Sequence, residues 1–248
     1  MVLTHTTNHS YSHDFPTVTL AFFLRYYSPQ LNPFSSHVLS TDTISSHVDH
    51  DTGRLFTTRL HVKRSRMPPA VIKLLPTSIT GGGGDKSAYV LEDSVVDIKE
   101  GWMKTQSRNL NFTGVLSVTE EQHYSITPPQ QPGLADYSPL PTSVPRTLVP
   151  NTYVTTTFSY RSTLGNRKAV QETETDENGP KRFGGWISGW GAKRIQGSIE
   201  SIASNKTDDQ LVKSRDGMKL VLERLRSNGV MATLRELRRS QGKAVFDG

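Results

Sequence analysis

Apolar and polar residues alternate with a period of two along much of the first 160 positions. Along the last 60 they recur at helical spacing instead, so the chain reads as strand-rich first and helical last. Residues 3–11, LTHTTNHSY, are β-prone. HVLSTDTISSHVD (37–49) and RLFTTRLHVKR (54–64) flank the turn DHDTG as a hairpin. The runs 87–98, 102–112 and 113–126 continue an antiparallel meander, and 151–161 supplies a seventh strand. Between the first two strands, Asp14 or Ser12 can cap a helix running through Phe15, Val18, Phe22 and Tyr26, with Pro16 tolerated in its first turn. These elements predict an α+β fold in which a sheet packs on helices.

Two stretches break the pattern. Residues 127–150 hold seven of the fourteen prolines, and 163–182 are largely polar and charged, so both read as excursions from one domain rather than boundaries. That domain spans 1–226, and 227–248 form a basic C-terminal extension that includes a short helical run, MATLRELRRS (231–240).

Within the helical part, Ile195, Ile199 and Ile202 share a face whose next positions are Lys206, Gln210 and Lys213, followed by Gly217 and Val221. An apolar stripe that turns cationic and then apolar again has two readings. It is a solvated stretch of a rotated helix, or it faces a mostly apolar cavity and sets two ammoniums inside it. The hairpin strand 54–64 repeats the motif, with Leu55, Thr57, Arg59, His61 and Lys63 on one face. In FFLRYY (22–27) a single arginine, Arg25, stands among four aromatic rings. It is either a snorkelling side chain or a buried cation, and a buried cation needs an anion.

Charge sharpens this picture. The 248 residues carry a formal net charge of +6, with 34% hydrophobic and 8% aromatic residues and no cysteine. Lys193 to Lys243 contain twelve basic against six acidic residues, and Arg54 to Lys73 contain six basic and none acidic. Such fields suit an anionic membrane or a nucleic acid, but no nucleic-acid-binding signature accompanies them. Disulfides, iron–sulfur clusters and a thiol nucleophile are excluded. No G-x-S-x-G elbow occurs, GGGGDKS lacks the phosphate-loop glycine before its lysine, and His5, His9 and His13 lie on a β-like segment at a spacing suited to a helix. Neither a metal nor a cofactor is expected. No 18-residue apolar run is present, and the first residues show neither a secretory h-region nor an arginine-rich presequence. The apolar run 66–76, bracketed by prolines and followed by GGGG, has the form of a lid on a hinge, with Met67, Pro68, Val71, Ile72, Leu74 and Leu75 able to dip into a membrane interface.

AFFLRYYSP, HVLSTDTIS, VDHDTGRLFTTRL, EDSVVD, SRNLNFTGVLSV and VKSRDGMKLVLERL resemble, in order, the pattern of the PRELI-like phospholipid carriers of the mitochondrial intermembrane space. The resemblance covers about 2–126 and 151–226 and is similar to the fungal, yeast Ups-type branch that carries phosphatidic acid. It implies a curved seven-stranded antiparallel sheet, an early helix, a lid loop and a long C-terminal helix enclosing a lipid-sized cavity. It implies a carrier rather than an enzyme, one that moves phosphatidic acid between mitochondrial membranes in support of cardiolipin synthesis, with a small helical twin Cys-x9-Cys chaperone as partner. Carried over to this chain, the headgroup region comprises Arg25, His37, Arg59, Lys63, Arg66, Lys206, Gln210 and Lys213. Gln210 stands where the family often has asparagine, and the GGGG run departs from the family pattern. A phosphatidylserine carrier of the same family and a non-transferring module that binds or tethers anionic membranes are the alternatives.

Overall fold

Strands half-covered by helices need apolar or small residues on alternate positions, and in the computed structural model all seven expected segments pair into one sheet, with only the edge segment 38–48 largely exposed along its length. The structure describes residues 2–64, 87–113, 116–129, 150–162 and 210–244. The strands β1 (Val2–Tyr11), β2 (Val38–Val48), β3 (Leu55–Arg64), β4 (Ser87–Asp97), β5 (Trp102–Asn109), β6 (Leu116–Ser125) and β7 (Thr152–Ser162) form one antiparallel sheet in the order β1-β7-β6-β5-β4-β3-β2. Helix α1 (Phe15–Leu24) follows β1, and a short 3-10 helix (Pro33–Ser35) follows α1. Two C-terminal helices, α2 (described over 210–228) and α3 (Val230–Ala244), meet at Gly229, whose φ of 75° suits glycine.

Local chemistry sets the ends. Asp14 caps α1 by accepting from the Thr17 amide at 3.4 Å, with Pro16 in the first turn. The helix stops at Leu24, two residues before the expected Tyr26, because side chains take its last carbonyls: Arg59 donates to the Phe23 oxygen (3.1 Å) and Asn32 to the Arg25 oxygen (2.9 Å). The chain leaves strand pairing at 110–113, after β5. The Asn109 amide donates to the carbonyls of Asn111 (2.7 Å) and Leu116 (2.9 Å), and Phe112 has a positive φ of 61°.

The register lays the inner face out in cross-strand rows. At one end Leu55, Val96, Met103, Tyr124, Val154 and His9 are linked neighbour to neighbour. Most of this row packs against Phe15, Val18 and Phe22 of α1 and Met218, Val221 and Leu222 of α2 as the main core. The next row, Thr57, Ser94, Thr105, Gln122, Thr156 and Thr7, is hydroxyl-rich. Beyond it come Arg59, Glu92, Ser107, Glu120, Phe158 and His5. Over these three rows polarity rises in steps, from the apolar core toward the charged row.

Helix α2 keeps the face expected of it, since Gly217 and Val221 are both buried. Gly217 permits a close approach. A Cβ there would lie 2.7 Å from the Asn32 side chain, so only glycine lets α2 sit this near. The expected boundary at 226/227 falls within α2, and Leu237 of α3 is buried in the main core.

Candidate functional site

Beyond the charged row the sheet, the α1 terminus and α2 enclose a cavity of about 320 Å³, toward the lower end of the roughly 300–1,000 Å³ typical of small-molecule pockets. Phe34, Val90, Val118, Phe158 and Leu211 give it apolar walls. Arg25, Lys63 and Lys213 bring cations to it from three different elements. His37, Gln210, Asn32 and Asn109 add polar groups, and Glu120 is the one carboxylate among its described lining residues. Arg64 and Arg108 also border it, from positions whose register places them on the opposite face of the sheet.

The arginine of FFLRYY is a buried cation, and its anion comes from this chain. Arg25, only 6% exposed, donates through Nη2 to Glu92 Oε2 at 2.8 Å. Arg59 grips the other carboxylate oxygen with two donors, Nε at 3.0 Å and Nη2. His61 Nε2 lies 3.3 Å from Glu92 Oε2, while its Nδ1 pairs with the Thr41 hydroxyl at 2.9 Å. Burial alone would raise the Glu92 carboxyl, but Arg25 above all, with His61 and Arg59, holds it well below the usual carboxylate range. Burial pushes the His61 imidazole down despite the pull of Glu92, and so favours its neutral form. Both arginines stand at the C-terminal, negative end of the α1 dipole. The cluster thus contains two guanidiniums and one carboxylate, a surplus of one positive charge. Arg25 Nε, buried, finds no partner among the described residues.

Tyr26 connects this cluster to the cavity. Arg25 lies 4.7 Å and Lys63 4.9 Å from its ring centroid, and His61 stacks edge-on at 5.1 Å. One aromatic ring is thus within cation–π range of both cations and neutralises neither.

Of the eight headgroup candidates, Arg25, His37, Lys63, Gln210 and Lys213 border the same cavity. Arg59 lies behind it, committed to Glu92 and the Phe23 carbonyl. Arg66 and Lys206 lie outside the described residues, as does the lid segment with Met67, Pro68, Val71, Ile72, Leu74 and Leu75. The sequence reading missed Glu92, Glu120 and Asn32. The two glutamates emerge only once the strands are paired: Arg59 meets Glu92 in register, and the inward face of β6 contains Glu120. Asn32, which ties the α1 end to the 3-10 helix and receives Gly217, leaves no periodic trace.

Comparison with known proteins places the chain. The model of the PRELI-like family matches residues 16–133. The protein "UPS1, mitochondrial" of Saccharomyces cerevisiae is 40% identical over 136 residues, 55% of this chain and 71% of that protein. The chain belongs to the PRELI-like family. The ups1 homolog of Schizosaccharomyces pombe is 36% identical to this PRELI-like chain over 108 residues, 44% of the chain and 56% of the homolog, so the match spans little more than half of that relative. Among solved structures, norcoclaurine synthase from Thalictrum flavum superposes with a TM-score of 0.42 at 12% identity, covering 90% of this chain and 88% of that one. The PRELI-like assignment does not draw on that loose likeness.

Proposed function

We propose that this PRELI-like protein is an intermembrane-space carrier that extracts phosphatidic acid from one mitochondrial membrane and delivers it to the other, in support of cardiolipin synthesis. The observation that carries the reading is an apolar-walled cavity into which Arg25, Lys63 and Lys213 converge from three elements. A diacyl phospholipid has about 30 methylene-type carbons, whose exposure at ~0.8 kcal/mol each would cost over ~20 kcal/mol in water. Crossing an aqueous gap therefore calls for apolar walls, and a phosphate among such walls calls for charge-assisted donors. A carrier makes and breaks no covalent bond and needs no nucleophile or metal.

Relatives whose names place them in mitochondria support the compartment. The family resemblance supports a small twin Cys-x9-Cys helical partner. The deciding experiment is lipid transfer between donor and acceptor liposomes that cannot touch, with labelled phosphatidic acid, phosphatidylserine and phosphatidylcholine in parallel. Transfer of phosphatidic acid well above the other two is expected. Faster phosphatidylserine transfer would move the protein to the other branch, and binding without transfer would make it a membrane-tethering or lipid-sensing module.

A further inference from the structure

A cavity that gathers cations for an anion has no evident use for a carboxylate, yet Glu120 lines it. Its place is fixed by register: it is inward-facing on β6, opposite Ser107 of β5 and Phe158 of β7, both of which also line the cavity. Its Oε1 accepts a hydrogen bond from Gln122 at 2.7 Å. Among the described residues no arginine grips it as Arg25 and Arg59 grip Glu92, and Arg25 and Lys63 act on it only through their field. We propose that Glu120 is a headgroup-binding residue that works as an acid: protonated, it donates a hydrogen bond to a phosphate oxygen of the cargo, so that loading an anionic phospholipid takes up a proton. The inference rests on the carrier reading.

Two effects drive the proton on. An ionised carboxylate beside an incoming phosphate, in a site with little water, is repelled strongly enough that neutralisation is the cheaper outcome. The phosphate also engages Arg25 and Lys63, the cations that otherwise favour the charged carboxylate, so their help to Glu120 fades as the cargo arrives. Burial already pushes the empty-cavity carboxyl above its ordinary value, against the pull of Arg25 and Lys63 and with a smaller push from Glu92. The other ionisable groups lining the cavity are His37, whose Nδ1 lies 3.1 Å from the Phe34 carbonyl, and Tyr26, Arg64, Arg108 and Lys213. The proton comes from solvent, the carboxylate becomes a carboxylic acid, and nothing else changes. A protonated carboxyl is a donor, so the cavity's one apparent mismatch becomes one more contact to phosphate.

Linkage gives the direction. Proton uptake occurs between the pKa of Glu120 in the empty cavity and its higher value in the loaded one, and affinity falls across that window as pH rises, by up to about tenfold per pH unit for one proton. The test uses the full chain and dioctanoyl phosphatidic acid. Binding is measured by calorimetry from pH 5 to 8 in buffers of different ionisation enthalpy, which reports protons taken up. The lipid's own ionisation and the other groups lining the cavity are common to every variant, so the difference between proteins isolates Glu120. Wild type is expected to take up to about one proton more than Glu120→Gln, and the variant should bind more tightly than wild type at pH 8 and equally at the low end. Glu120→Ala should lose the same proton, which separates titration from hydrogen bonding to Gln122. Identical uptake by wild type and both variants would overturn the proposal and leave the carrier reading standing. Wild type that binds no phosphatidic acid would overturn both.

Discussion

Glu92 and Glu120 stand on the same row of the sheet, two strands apart through Ser107, and they face the same way. Glu92 is 1% exposed, gripped by two guanidiniums and approached by an imidazole; its charge is spent inside the protein. Glu120 faces the cavity with one amide for a partner and cations that remain available to a ligand. One carboxylate organises the wall, while the other meets whatever enters. Inward-pointing acid residues in one row of the sheet thus acquire opposite uses from what lies beside them, and α1 makes the difference by delivering Arg25 to the carboxylate of one and not the other.

The largest effect should come from dismantling the closed side. Glu92→Gln leaves Arg25 and Arg59 buried without their anion and should cost about 3–5 kcal/mol, a fall of roughly 10 °C or more in melting temperature. Arg25→Gln should cost less, since Arg59 still holds Glu92. The pair should show coupling of about 0.5–3 kcal/mol in a double-mutant cycle followed by thermal unfolding. Additive losses would mean that the two side chains act independently. Arg25→Glu is the wrong probe of cargo binding, because it sets a second carboxylate against Glu92. Arg25→Lys, with transfer and melting measured together, separates the two duties of this residue.

Next in size is a change that reaches the open side through packing. Gly217→Ala drives a methyl into an Asn32 side chain already held by the Arg25 carbonyl and the Phe34 amide, so α2 must move. A loss of about 1–3 kcal/mol is expected, with slower lipid transfer, because α2 also presents Lys213. Unchanged melting would mean that Asn32 yields freely.

Smaller still, Lys213→Ala removes an exposed cation from the cavity. Stability should stay within about 0.5 kcal/mol while phosphatidic acid transfer falls roughly three- to tenfold, worth about 0.7–1.4 kcal/mol. Loss of stability without loss of transfer would reverse the contrast between the two sides.

The subtlest test is pH, where the two carboxylates should pull in opposite senses. The folded pKa of Glu92 is depressed, so its stabilising contribution is complete above about 4.5 and disappears as pH falls below that value toward the folded one. The folded pKa of Glu120 is raised, so its contribution is present below about 4.5 and lost as pH rises through the raised value. Melting curves should therefore show Glu92→Gln converging on wild type in acid, and Glu120→Gln gaining slightly on wild type toward neutral pH. Parallel curves for the two variants would erase the distinction.

The fold was legible because alternation and helical spacing are local signals: seven strands, the early helix and the buried face of α2 through Gly217 and Val221 all follow from them. Element ends were less so. The premature stop at Leu24 depends on Asn32 and Arg59, which approach from elsewhere in the chain. In the site, Arg25 was visible as an anomaly and its need for an anion was sound physics. Which anion was a question of register, and no periodicity in FFLRYY points to Glu92. Nor does any local pattern distinguish Glu120 from the outward-facing Glu121 beside it until the strands are paired.

The stepped rows of the sheet also decide where the chain can grow. The β6–β7 connection leaves from Ser125 and returns at Thr152, at the sealed apolar end. The β3–β4 connection leaves from Arg64 and returns at Ser87, at the cavity end. The ends at Ser125 and Thr152 are thus separated from the cavity by the apolar core, whereas Arg64 itself borders the cavity.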